Sequence, residues 1–155
     1  MGTRSMIGIE NPDGTVLGIY CHWDGYPEGV GAALIQHYAN EEKIRSLLAE
    51  GDMSSIGADV GEKHDFSAGR DGWCNFYARD RGEDDTEAKT YPDPKEFAHE
   101  EFAYLWRAGA WWVDDHSHGE KFERLTFKAC GIADTAAELR AVTPDGCLGA
   151  DGGDS

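Results

Sequence analysis

Trp23, Asp24 and Tyr26 fall within four residues of one another, and Gly29 and Gly31 follow, all inside the stretch "YCHWDGYPEGVGAAL" (residues 20–34). These residue types at this spacing suit a flat, anionic molecule. The rings of Trp23 and Tyr26 can stack on a base, worth about 1–3 kcal/mol per stacked base. Asp24 can accept a hydrogen bond from a ribose or a base. Gly29-Val30-Gly31 reads as a helix opening, where backbone amides and the helix dipole favour an anion. Arg4, just ahead of the first expected strand, adds a positive charge if a hairpin brings its two ends together. The same residues also have a structural reading: Trp23 plugs a sheet end, Gly25 makes the turn, Pro27 sets the helix entry, and Arg4 pairs with Asp24. Glu28 already complements the helix dipole and favours that second reading.

Other combinations carry less chemistry. Cys21, Cys74, Cys130 and Cys147 are far apart and form no Cys-x-x-Cys, so no zinc spacing or disulfide framework is legible. Cys21 and Cys74 sit in β-rich segments and read as small packed thiols. His116-Ser-His118 would place two imidazoles on one face of a strand, but "DDHSHGEK" reads as a polar turn, and neither a metal nor a cofactor is expected. A Cys–His nucleophile from Cys21 or Cys74 with His64 has nothing in the sequence to assemble it. His37, on a helix, reads as a partly buried structural histidine. The adjacent acids Asp84-Asp85, Glu100-Glu101 and Asp114-Asp115 point apart on any regular element and make poor acid–base couples. There is no P-loop, G-x-S-x-G, H-E-x-x-H or strand-linked G-x-G-x-x-G, so binding is favoured over turnover, with an unrecognised hydrolase as the enzymatic alternative.

Composition narrows the class. The 155 residues suffice for one domain with a real core, and five tryptophans argue against disorder. No run reaches the ~18 apolar residues of a membrane helix, and no basic-then-apolar leader opens the chain; a soluble, unexported, cytoplasmic protein is expected, in the host cytoplasm if phage-encoded. Fourteen Lys and Arg stand against 30 Asp and Glu, a net charge of −16. Such a surface repels nucleic acid and anionic membranes and draws basic partners. Three explanations compete: a solvated acidic surface, a mimic of DNA on a basic protein groove through Asp84, Asp85, Glu87, Glu96 and Glu100, or cation binding or solubility at high salt.

The elements that must position these residues are legible in part. "SMIGIENPDGTVLGIYCHW" reads as a hairpin turning at Asn11-Pro12-Asp13-Gly14. Val30, Leu34 and Tyr38 recur at helical spacing, and Asn40 caps a second helix whose stripe is Ile44, Leu47 and Leu48, ended by Gly51. Both helices should pack on the hairpin. "DMSSIG" to "EKHDFSAGRD" reads as a polar loop. Trp73 to Arg79 reads as a strand, "RGEDDTEAK" as a charged loop, and Asp93-Pro94 starts a helix through about Glu101. "FAYLWRAGAWWVDDH" is a second hairpin turning at Ala108-Gly109, and "KFERLTF" a further strand. Thr135 and Glu138 open a last helix over 135–142. The expected fold is α+β: a single domain over 1–142, its mainly antiparallel sheet built from two hairpins with short helices packed on it, followed by a flexible acidic tail over 143–155.

"MGTRSMIGIE", "DGTVLGIYCHW" and "WDGYPEGVG" together resemble a family of small uncharacterised proteins of bacteriophages and bacteria. That family is marked by an initial Met-Gly-Thr-Arg and a Trp-Asp-Gly-Tyr-Pro corner followed by Gly-x-Gly. The resemblance covers the first forty residues and implies a phage or mobile-element setting, without an activity. The function expected is a phage-type accessory protein that counters a host defence by sequestering a nucleotide-like or other small anionic ligand at the Trp23–Gly31 corner. The alternative is an acidic, DNA-mimicking inhibitor of a nucleic-acid-binding defence complex. Oligomerisation is left open.

Overall fold

Asn11-Pro12-Asp13-Gly14 turns the chain through local chemistry. The Gly14 amide donates to the Asn11 carbonyl at 2.9 Å, and the Asp13 carboxylate accepts from the Thr15 amide and hydroxyl at 3.0 and 2.6 Å. The computed structural model describes residues 2–132; the helix expected over 135–142 and the tail expected over 143–155 lie outside the described residues. The elements in chain order are β1 (Ser5–Glu10), β2 (Val16–Cys21), a π-helical turn (Pro27–Gly31) running into α1 (Ala32–His37), α2 (Glu41–Ala49), β3 (Met53–Ser55), β4 (Asn75–Phe76), α3 (Tyr77–Arg81), β5 (Lys89–Tyr91), α4 (Pro94–Phe97), β6 (Phe102–Arg107), β7 (Ala110–Asp115) and β8 (Glu123–Arg124).

The two hairpins, β1–β2 and β6–β7, lie in one sheet of order β4-β3-β2-β1-β6-β7-β8. They are joined by a parallel pairing of β1 with β6, Ser5 opposite Phe102 and Ile9 opposite Trp106. β5 and β3 share the other edge of β2, β5 antiparallel along residues 16–18 and β3 parallel at Cys21. The fold is therefore a single α+β domain on a mixed, mostly antiparallel sheet. The second hairpin turns at Ala108 and Gly109, both at positive φ (52° and 76°), which a two-residue turn between right-twisted strands requires.

Each face of the sheet carries its own core. On one face Ile7, Ile9, Ile19, Cys21, Tyr104 and Trp111 meet Val30, Leu34, Tyr38, Ile44, Leu47 and Leu48 from the helices. The helical spacing read from the sequence thus selects the buried stripe of α1 and α2. Asn40 caps α2 as expected, accepting from the Lys43 amide at 2.8 Å. On the other face Met6, Val16, Ala103 and Leu105 meet Phe97 and Ala98. β1 lies centrally between β2 and β6, so Ser5 to Ile9 are buried on both faces.

Several elements differ from expectation. The strand expected over 73–79 is only Asn75–Phe76, and Tyr77–Arg81 is helical. The reason is Asp80: its carboxylate reaches back to the Phe76 amide at 2.8 Å, and Gly82 at φ 74° ends the turn. The helix from Pro94 stops at Phe97, because the chain must enter β6 beside β1, and Glu101 is committed to the Arg4 amide. Of "KFERLTF" only Glu123–Arg124 pairs as a strand. β3, in a stretch read as a loop, and β5, starting at the end of the charged loop, add two short strands, and His37 is exposed rather than partly buried.

Candidate functional site

The corner follows β2 directly. Trp23 and Tyr26 are the exposed large hydrophobics among the described residues, at 43% and 39%. Asp24 takes φ 57°, a left-handed conformation that Asp tolerates better than most residues, and its carboxylate accepts the Tyr26 hydroxyl at 2.8 Å. That hydrogen bond, with the Asp24 charge, holds the Tyr26 phenol above its ordinary range. Gly25 lies against the backbone of Thr3 and Arg4, where a Cβ would sit 2.7 Å from the Thr3 carbonyl oxygen. Its amide donates to that carbonyl at 2.8 Å, and the Tyr104 hydroxyl donates to the Gly25 carbonyl at 2.6 Å. The corner is thereby pinned to both β1 and β6.

The glycines do not form an anion cradle. The Gly29 amide donates to the Tyr26 carbonyl at 2.9 Å and the Val30 amide to the Asp24 carbonyl at 2.8 Å. Gly31 faces inward, a Cβ there meeting Cys130 Sγ and the Tyr104 ring at 3.3 Å. The Gly29 and Val30 amides serve the turn, so the ligand-facing chemistry of this corner rests chiefly on side chains.

Arg4 supplies part of it. Its amide donates to Glu101 Oε1 at 2.8 Å and its carbonyl accepts from the Phe102 amide at 3.3 Å. The backbone is thus fixed on both sides while the side chain is exposed. Asp24 is not its partner: no carboxylate among the described residues lies within ion-pair distance of the Arg4 guanidinium. Sequence reasoning missed two neighbours. Continuing the β1–β2 register one step past Ser5–Cys21 brings Arg4 opposite His22, and strand alternation puts Tyr20 and His22 on the same face. The Tyr20 hydroxyl and His22 Nδ1 are 2.7 Å apart. The His22 and Trp23 rings meet edge to face, their centroids 4.8 Å apart. The signal was the alternation Tyr20-Cys21-His22, with Cys21 facing the core.

The remaining candidates scatter. Asp84, Asp85, Glu87 and Glu96 are exposed and Glu100 is half-buried; none of the first four has a cation within ion-pair distance among the described residues. Cys21, Cys74 and Cys130 are buried free thiols. Burial pushes the Cys21 thiol up to about 12 and the Cys130 thiol up to about 11, the opposite of what a nucleophile needs. Cys147 lies outside the described residues. His64 contacts Asp80 and Asn75 rather than a thiol. Asp114, fully buried, accepts from the Ser117 hydroxyl, the Ser117 amide at 3.1 Å and the Gly119 amide at 2.8 Å. It builds the turn in which His116 and His118 both take positive φ. Among the described residues no three His, Cys, Asp or Glu side chains converge as a ligand set, and no helix is long and apolar enough to cross a membrane. Comparison with known proteins finds no matching family model, no matching curated protein and no matching solved structure.

Proposed function

We propose that this chain works by binding rather than turnover, taking a nucleotide-like anion at the corner formed by Arg4, His22, Trp23 and Tyr26. One observation carries the reading. Among the described residues, the large hydrophobics left exposed, Trp23 and Tyr26, lie in the same corner as an arginine whose backbone is fixed and whose charge has no carboxylate partner. An indole and a guanidinium presented from the same corner suit a base that carries a phosphate. In the setting implied by the sequence resemblance, the role is that of a phage-type accessory protein withholding a nucleotide signal from a host defence. Calorimetric titration with nucleotides and cyclic dinucleotides tests it: saturable binding that Arg4→Ala abolishes supports the reading, and absence of binding to all of them rejects it.

The exposed carboxylates Asp84, Asp85, Glu87 and Glu96, unpaired among the described residues, favour a second reading, an acidic inhibitor seated on a basic nucleic-acid groove. Its test is capture of a nucleic-acid-binding protein from the host, competed by DNA.

A further inference from the structure

We propose that His22 is itself a ligand-binding residue, presenting an Nε2–H to an anionic oxygen of the ligand, and that Tyr20 is the positioning residue that fixes this tautomer. The inference rests on the reading of the corner as an anion site and assigns its second donor.

The Tyr20 hydroxyl lies 2.7 Å from His22 Nδ1, its one hydrogen-bond partner among the described residues. Burial pushes the Tyr20 phenol up, against the pull of the nearby Arg4 charge, so Tyr20 keeps its proton. A protonated phenol can donate to Nδ1; in the arrangement proposed it does so, and an imidazole that accepts at Nδ1 carries its hydrogen at Nε2. His22 Nε2 has no hydrogen-bond partner among the described residues, and the ring is half-buried. The His22 backbone is held as well, its amide donating to the Met53 carbonyl at 3.1 Å. The donor is therefore fixed in direction before any ligand arrives, which lowers the ordering cost of binding.

The charges around it sort themselves. Arg4 is opposite His22 by register. Asp24 is occupied by the Tyr26 hydroxyl, and Glu101 by the Arg4 amide. Glu100 acts on Tyr20 against Arg4 and faces His99 Nδ1 at 3.7 Å. Among the described residues, the side-chain donors this corner offers a ligand include the Arg4 guanidinium and the His22 ring N–H, with the Trp23 indole at the same corner. That set matches a nucleoside phosphate, the phosphate oxygens between Arg4 and His22 and the base on Trp23.

The test has two arms. In the ligand-free, 15N-labelled protein, long-range 15N–1H correlation should show His22 as the Nε2–H tautomer, and Tyr20→Phe should turn it into a mixture. An Nδ1–H tautomer in the unmutated protein overturns the proposal. In the second arm, adenosine diphosphate and inorganic pyrophosphate are titrated into the protein and its variants. Gln at position 22 keeps an amide N–H near the Nε2 position, whereas Asn places it near Nδ1. His22→Gln should bind within about threefold of the original and His22→Asn about tenfold or more weaker, the loss of one hydrogen bond to a charged group. Binding that Arg4→Ala weakens and His22→Asn leaves unchanged overturns the role of His22 alone. Binding of neither probe, with the tautomer as expected, overturns the anion reading of the corner and the role with it.

Discussion

Gly8 stands opposite Gly18 across β1 and β2, and the slot left by the two missing side chains is filled by the ring of Phe97. A Cβ on Gly18 would lie 2.5 Å from Phe97 Cε1, and one on Gly8 2.8 Å from it. Phe97 is fully buried, so the ring cannot swing into solvent. Gly18→Ala is expected to destabilise the protein by about 1–3 kcal/mol, the range for overpacking a filled core. The measurement is a urea midpoint that falls at an unchanged slope. Stability equal to the original would show that Phe97 does not occupy this slot.

Asp80 holds the long loop over residues 56–74 to the sheet. Its side chain is fully buried and accepts from the Phe76 amide at 2.8 Å, the His64 amide at 3.1 Å, and Arg79 Nε and Nη2 at 2.9 and 3.2 Å. Burial alone would raise this carboxyl; the hydrogen bonds from Arg79 and the two amides outweigh it and hold it below its ordinary 3.8. A carboxylate lowered in the folded state stabilises fully above its unfolded value and loses that contribution as pH falls through the folded one. Stability should therefore decline below about pH 4, and Asp80→Asn should remove this part of the decline. The same variant leaves the Arg79 charge with only the Val60 and Cys74 carbonyls as partners and should cost about 3–5 kcal/mol at neutral pH, together with faster proteolysis within residues 56–74. An unchanged acid limb in Asp80→Asn would show that other carboxylates set it.

These two relationships also show what a sequence can carry. The hairpins are legible because Asn11–Gly14 and Ala108-Gly109 do their work locally, and the helices because Val30, Leu34 and Tyr38 repeat on one face. The parallel β1–β6 pairing has no local signature, since Ser5 and Phe102 meet only when the whole sheet forms. Gly8 and Gly18 read as ordinary strand glycines until Phe97, nearly eighty residues on, is seen to need the space. Trp73 to Arg79 looks like a strand because its aromatics favour one, and a single buried carboxylate at Asp80 overrides that preference. In the corner, the types and spacing of Trp23, Asp24 and Tyr26 are plain in the sequence. That the Gly29 and Val30 amides bond within the turn, and that Tyr20 and His22 flank Arg4, depends on the register of β1 against β2.

The two functional readings respond to salt in opposite ways. A chain of net charge −16 repels an anionic ligand at long range. Raising ionic strength from about 10 mM to 150 mM shrinks the screening length from ~30 Å to ~8 Å, so association of a nucleotide should speed up. An acidic surface seated on a basic groove loses attraction over the same range and should bind more weakly. Reversing Asp84, Asp85 and Glu87 to Lys separates them further. These side chains are exposed, so folding should change by no more than ~0.5 kcal/mol per site. Nucleotide association should accelerate, whereas capture by a basic partner should be lost. Stopped-flow tryptophan fluorescence, with Trp23→Phe as the control that identifies the Trp23 signal, and a pull-down at two salt concentrations read both outcomes.

Trp23 and Trp111 allow binding to be told apart from folding. Trp111 is 3% exposed and donates from Nε1 to the Tyr38 carbonyl at 2.9 Å, so Trp111→Ala should cost about 3–5 kcal/mol through the cavity it leaves. Trp23 is 43% exposed and rests on Gly2 and the His22 ring, so Trp23→Ala should cost well under half as much. Arg4→Ala should leave stability within ~0.5 kcal/mol, because its fixing bonds are made by the backbone, which the substitution keeps. Nucleotide affinity should run the other way. Arg4→Ala should lose about 1.5–3 kcal/mol of binding, the range for hydrogen bonds to a charged group, and Trp23→Ala about 1–3 kcal/mol, the worth of one stacked base. If Trp23→Ala instead unfolds the protein as readily as Trp111→Ala, the indole is a plug at the end of the sheet. The exposed corner is then a structural one.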